Sequence, residues 1–130
     1  MSGLAKKRPK YLNLFEIKLP LAGFASILHR VSGAALFLML PLLIWLLELS
    51  LESAESFETF KTVAAHPLVK LILLGLLWSF LHHFCMGIRI VLIDLHIGVE
   101  KAQAHATAKA VLVVSLALTA VLGAKLLGVY

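Results

Sequence analysis

The chain has 130 residues, 61% of them apolar, and a mean hydropathy of +0.97. A soluble domain is about 45–50% apolar, and a chain this short has too little interior to hide the excess from water, so a water-soluble globule is excluded and a lipid-facing surface is implied. The net charge of +5 is not a nucleic-acid footprint, because the basic residues cluster near the N-terminus beside an apolar run, which is a membrane-topology pattern.

The single cysteine, Cys85, permits no internal disulfide and no CxxC pair, and it reads as a small buried hydrophobe. The N-terminus does not read as a cleaved signal peptide: its first long apolar run starts only after Arg30, and no small-residue cleavage site ends that run. Residues 1–23 mix Tyr11, Leu12, Leu14, Phe15, Ile17 and Leu19 with Asn13, Glu16 and Lys18, between Pro9 and Pro20. Two readings stand for this segment: a stretch lying in the cytoplasmic membrane interface, or an extended arm packed on a partner subunit.

A spanning helix needs about 20 mostly apolar residues, since the hydrocarbon core is about 30 Å thick and each residue rises about 1.5 Å. Three stretches meet that length, at 24–49, 68–92 and 107–129. None alternates with the two-residue period of a barrel strand, so all three are expected to be helices, giving an all-α membrane protein of one domain over 1–130. The first stretch is uncharged from Val31 to Leu47, and Pro41 inside it predicts a kink. Beyond Lys109 in its first turn, the third holds only Lys125, near its end, where a long side chain can snorkel to the headgroups.

Lys6, Lys7, Arg8, Lys10, Lys18 and Arg30 precede or open the first span, and Lys101 and Lys109 follow the second. The intervening loop, residues 48–66, carries Glu48, Glu52, Glu55 and Glu58 against a single basic residue, Lys61. The positive-inside rule therefore predicts a cytoplasmic N-terminus and second loop, with the first loop and Tyr130 on the opposite side.

Ionisable groups within a span cost about 2.5–3.5 kcal/mol or more at the helix centre, so they face protein, water or a cofactor. Ser26, His29 and Arg30 are spaced i, i+3 and i+4 and share one face of the first helix. Their donors suit quinone carbonyls or carboxylates, although a snorkelling arginine beside a satisfied histidine and serine would carry the same pattern. In the second span His82 and His83 are adjacent and point about 100° apart, so at least one must meet another helix. A neutral imidazole in a membrane bundle is a natural ligand for a b-type haem, and an interhelical hydrogen bond is the plainer use. No CxxCH occurs, which excludes covalent c-type attachment. Gly87 follows His83 by four residues and leaves room on that face for a flat macrocycle or a close helix. Arg89 and Asp94, five residues apart at the cytoplasmic end, could pair through a small rotation or through partners, or stand as a helix-end charge pair at the interface, and His66, His96 and His105 are read as solvated.

These residues resemble a known family. The run Ser26-Ile27-Leu28-His29-Arg30-Val31-Ser32-Gly33 resembles the SxxHRxSG signature of the cytochrome b556 subunit of succinate dehydrogenase. The run from His83 through Gly87 to Arg89, followed by Asp94, resembles that family's HxxxGxRHxxxD element. Arg8-Pro9, Leu12-Asn13-Leu14 and Leu19-Pro20 resemble its N-terminal pattern. The resemblance covers nearly the whole chain, and it implies a helical anchor in the bacterial inner membrane, in a bundle shared with a second hydrophobic anchor subunit. Docked on the cytoplasmic side would be an iron–sulfur subunit and a flavoprotein subunit, with electrons from succinate passing to ubiquinone and haem b held between the two anchors. Carried over by residue, His83 would be the axial ligand of the haem iron, Ser26 and Arg30 would line the quinone site, and His29 and Arg30 would lie by a haem propionate. The chain departs from the pattern at Ile90, where the family usually has histidine, so any propionate contact or proton path there is lost unless His82 substitutes. A fumarate reductase anchor and a cofactor-free scaffold remain the alternatives. The chain itself carries no flavin motif, no iron–sulfur cysteines and no dicarboxylate site.

Overall fold

The structure, a computed structural model, describes residues 10, 11 and 13–130; Lys6, Lys7, Arg8, Pro9 and Leu12 of the N-terminal pattern lie outside the described residues. It is helical throughout, with α1 (Leu21–Leu38), α2 (Leu40–Leu51), α3 (Ala54–Ala65), α4 (Pro67–Asp94) and α5 (Lys101–Leu126). Three of these, α1, α4 and α5, are long and apolar enough to cross a membrane. At about 1.5 Å per residue, the 18 residues of α1 reach about 27 Å and the 28 of α4 about 42 Å.

The first apolar stretch is not one rod. The ladder of α1 ends with the Met39 amide on the Ala35 carbonyl, and the Leu43 amide restarts it on Met39. Pro41 lies in the first turn of α2, where its missing N–H would be unpaired in any case, so the kink expected at the proline takes the form of a break at Met39. Ahead of α1, Asn13 organises a turn. Its side chain accepts from the Phe15 amide and its carbonyl from the amides of Glu16 and Ile17, and Pro20 then leads into the helix.

The 48–66 loop contains a helix that the sequence reading left as a loop. Ser53 and Ser56 form a reciprocal capping box at its start, with Oγ–amide distances of 3.0 and 2.9 Å. Phe57, Phe60, Val63 and Ala64 recur at helical spacing behind it. That pattern stands in the sequence among four glutamates, Glu48, Glu52, Glu55 and Glu58, which mark the segment as a loop between spans.

The three long helices run up, down and up. The N-terminal part of α1, the C-terminal part of α4 and the first turns of α5 gather at one end, where Ala25, Met86, Ala108 and Val111 form the core. Helices in lipid gain nothing from hiding apolar surface, so they associate where small residues let backbones approach. Ala25 and Ala108 have no exposed surface at all. Near the far end Gly123 plays the same part, since a Cβ there would stand 2.5 Å from Leu74 Cδ1. Buried Ser115 and half-buried Thr119 donate to carbonyls of their own helix, Leu112 and Ser115, so neither hydroxyl is stranded. Large apolar side chains such as Phe37, Leu71 and Val121 stand on the outside, as a lipid-facing surface requires.

The turn from α4 to α5 is closed by the Ile97 amide on the Leu92 carbonyl, and this leaves His96 in the left-handed region at φ 62°. A residue with a Cβ is strained there by about 1–2 kcal/mol. His96→Gly is therefore expected to stabilise the chain by about 1 kcal/mol. A raised thermal midpoint of the detergent-purified protein would bear this out, and a lowered one would refute it.

Candidate histidine site at one end of the bundle

His82 and His83, adjacent on α4, both reach α1. His82 Nε2 donates to the Ala25 carbonyl at 3.3 Å, and His83 Nδ1 donates to the His29 carbonyl at 3.0 Å. The two acceptors are one helical turn apart, so the pair locks α4 against α1 in a single axial register. The two rings differ in their surroundings. His82 is wholly enclosed, lies against Trp78 with ring centroids 5.3 Å apart, and has no partner for its Nδ1 among the described residues. His83 is only half-buried.

The tautomer of His83 follows from its partner. A carbonyl oxygen only accepts, so in the neutral ring the proton sits on Nδ1 and the lone pair on Nε2. Ser32 tightens the arrangement by donating from Oγ to the same His29 carbonyl at 2.9 Å, with Oγ 3.4 Å from His83 Nδ1. The His29 ring stacks on the His83 ring at 4.0 Å between centroids and 10° between planes. Gly33 completes the surround, for a Cβ there would meet His83 Cε1 at 2.7 Å and Nδ1 at 3.1 Å. On its other side His83 borders an apolar groove of about 410 Å³ lined also by Phe84, Gly87, Ile88, Val91 and Leu92. Nothing lies within 4 Å of the position a Cβ would take at Gly87, so this face is open. The arrangement presents a basic imidazole nitrogen of fixed tautomer beside an open apolar surface, which is what a ligand to a soft or borderline metal requires.

The other residues singled out in the sequence are distributed around this site. Ser26 is half-buried on α1 and Arg30 is exposed, one turn later on the same helix. Among the described residues no direct ion pair joins Arg89 to Asp94. Five residues on a helix amount to about 500°, which places Asp94 about 140° round from Arg89. The Arg89 guanidinium is buried and turned to α5, donating from Nε to Thr107 Oγ1 at 3.0 Å and from Nη2 to the Ala104 carbonyl at 3.0 Å, while Asp94 is exposed. His66 is exposed and caps α4 by accepting from the Leu68 amide at 3.2 Å, and His96 and His105 are exposed. Sequence reading missed Ser32 and Gly33 as partners of His83. Their signal was positional, since they follow His29 by three and four residues and so share its face.

Together these features define a small helical membrane anchor with a histidine site built between two of its spans. The chain belongs to the family of succinate dehydrogenase/fumarate reductase transmembrane subunits, which matches residues 5–122. It is 36% identical over 110 residues to the succinate dehydrogenase cytochrome b556 subunit of Coxiella burnetii, covering 84% of this chain and 88% of that one. The subunits of the same name from Paracoccus denitrificans and Rickettsia prowazekii are each 32% identical, over 111 and 116 residues, covering 85% and 89% of this chain and 85% and 90% of theirs.

Thr107 supports a buried cation that has no carboxylate partner among the described residues. Thr107→Val strands the Arg89 Nε–H and should cost about 1–3 kcal/mol. Thr107→Ser, which keeps the acceptor, should recover most of it; equal thermal midpoints for the two variants would show that the contact contributes nothing.

Proposed function

We propose that this chain is the membrane-anchor cytochrome b subunit of a succinate dehydrogenase, binding haem b and ubiquinone and serving the passage of electrons from succinate oxidation to the quinone pool. The observation that carries the reading is His83: its Nδ1 proton is committed to a backbone carbonyl, which leaves the lone pair on Nε2, and the half-buried ring borders an open apolar groove. The relatives' name, cytochrome b556 subunit, agrees with it.

The residues present fit the group. Gly87 and its neighbours offer an open apolar surface next to the imidazole, where a second anchor subunit would supply the other wall and a second ligand. His83 is the ligand in preference to His82, because His82 is enclosed within this chain and its Nε2 proton is already spent on Ala25. Haem b, when bound, would supply a one-electron site within the membrane. His29 and Arg30 lie at the same end of α1 as the bound edge of His83 and would meet the propionates there.

Ser26 and Arg30 form the quinone-facing pair. Ser26 donates from its hydroxyl to a quinone carbonyl, and Arg30 offsets the negative charge that builds on the ring oxygens as electrons arrive. Neither residue performs chemistry on succinate; that belongs to the flavoprotein, with an iron–sulfur subunit between. The clustering of Lys10, Lys18, Arg30, Lys101 and Lys109 at the histidine end supports a cytoplasmic placement of that end in a bacterial inner membrane, with Tyr130 on the periplasmic side. Those two soluble subunits would then dock on the face where the quinone site opens.

His83→Ala is expected to abolish the b-type absorbance of the purified complex, while His82→Ala retains it; the reverse result would transfer the ligand role to His82. A wild-type complex with no b-type band in its reduced-minus-oxidised spectrum would leave a cofactor-free scaffold. Haem potential and the identity of the co-purified quinone decide between succinate oxidation and fumarate reduction.

Ser26→Ala should lower quinone reduction roughly 2- to 10-fold, and Arg30→Ala about 10- to 100-fold, with succinate oxidation by an artificial dye spared in both. Parallel loss of the dye activity would mean that assembly, and not quinone binding, had failed.

A further inference from the structure

Four observations converge on the His83 ring from α1. The His29 carbonyl accepts from Nδ1 at 3.0 Å, the His29 ring stacks on it at 4.0 Å, Ser32 Oγ lies 3.4 Å from Nδ1, and Gly33 leaves the space the ring occupies. These three residues lie on one continuous turn of α1, and three features of it each constrain a different freedom of the imidazole. The carbonyl fixes which nitrogen carries the proton. The stack fixes the ring plane. The missing side chain at position 33 allows the ring to sit that close to the α1 backbone.

We infer that the turn His29–Gly33 is a slot for the His83 ring, in which Gly33 and His29 are positioning residues for the metal ligand. The SxxHRxSG run then divides its labour. Ser26 and Arg30 address the quinone, while His29, Ser32 and Gly33 address an imidazole from another helix. The inference rests on the proposed role of His83 and adds to it what sets the ligand's orientation and basicity.

The electronic consequence has a sign. A carbonyl that accepts from Nδ1–H draws that proton away, makes Nε2 a stronger donor and favours the ferric form of a bound iron, so it lowers the reduction potential. Gly33 is where this is most exposed to substitution. A Cβ at 2.7 Å from Cε1 cannot be tolerated, and the obstructed atom belongs to a rigid ring, not to the end of a flexible chain. An alanine there must push the ring off the His29 carbonyl. Gly23, on the same helix, meets only ordinary contacts of 3.6 Å and serves as the control.

The test uses the assembled complex and two readouts that do not depend on turnover. These are the low-spin ferric EPR signal, whose largest g value reports the relative orientation of the axial ring planes, and the haem midpoint potential. Gly33→Ala is expected to shift the largest g value and raise the potential, and Gly23→Ala to leave both as in the wild type. Wild-type values for Gly33→Ala overturn the slot. Should Gly33→Ala fail to assemble, His29→Leu decides, because it adds nothing to the slot and removes the flat stacking surface. A shifted g value supports the inference and an unshifted one overturns it. His83→Ala separates this from the parent reading. Retention of the haem in His83→Ala defeats the ligand assignment itself, whereas its loss together with an unperturbed Gly33→Ala defeats only the slot.

Discussion

Inside three apolar helices there is no water to satisfy a polar group, and backbone carbonyls are the acceptors that remain. That constraint organises the bundle. Carbonyls of α1 already serve its own helical ladder, yet two of them, Ala25 and His29, also accept from the histidines of α4. The cation at Arg89 is handled in the same way by α5, through the Ala104 carbonyl and the Thr107 hydroxyl. Each contact that joins one span to another through a polar side chain is thus a donor seeking an acceptor in a medium that offers few. The apolar residues around them, small at the crossings and large on the outside, let the helices come close enough for those bonds to form.

Much of this was legible in the sequence because the membrane makes hydropathy decisive. A 20-residue apolar run has few structural options, so the helical class and the three spans followed from length and charge alone. Adjacency of His82 and His83 likewise required that they diverge and that one meet a neighbouring helix; both do. What was not legible was which atoms they meet, since a backbone carbonyl leaves no mark in the sequence. Gly33 shows the same limit. As a letter it is a small residue in a motif, and only the ring of His83 against it gives it a purpose. The Arg89–Asp94 pairing failed for a related reason: proximity along the chain suggested a partner, while helix geometry turned the guanidinium to α5. Helix α3 was missed because its glutamates outweighed the spacing of Phe57 and Phe60.

The contrast between Arg30 and Arg89 separates two uses of one side chain. Arg89 is buried, and hydrogen bonds from its guanidinium are spent on neutral acceptors within the chain. Its function is to hold α4 to α5, and any influence on a bound redox group would come through its position alone. Arg30 is exposed at the same end of the bundle. A guanidinium at membrane depth without an internal partner is costly unless something outside the chain compensates it, whether headgroup, quinone or propionate. The resemblance includes both arginines, in separate motifs, but the packing gives Arg89 a structural task and leaves Arg30 exposed.

The same reasoning bears on why such a site is divided between helices at all. A lone imidazole on a membrane helix can rotate about two side-chain torsions and can carry its proton on either nitrogen. Each added contact from α1 removes one of those freedoms before any ligand arrives, so the ordering cost is met during folding and not during binding. One turn of α1 suffices to order the ring on α4, but it does not enclose the groove beside it, which stays open along Phe84, Gly87, Ile88 and Val91. The ordered half and the open half are therefore complementary. The chain orders one imidazole and leaves the opposite wall of the groove open along the exposed face of α4.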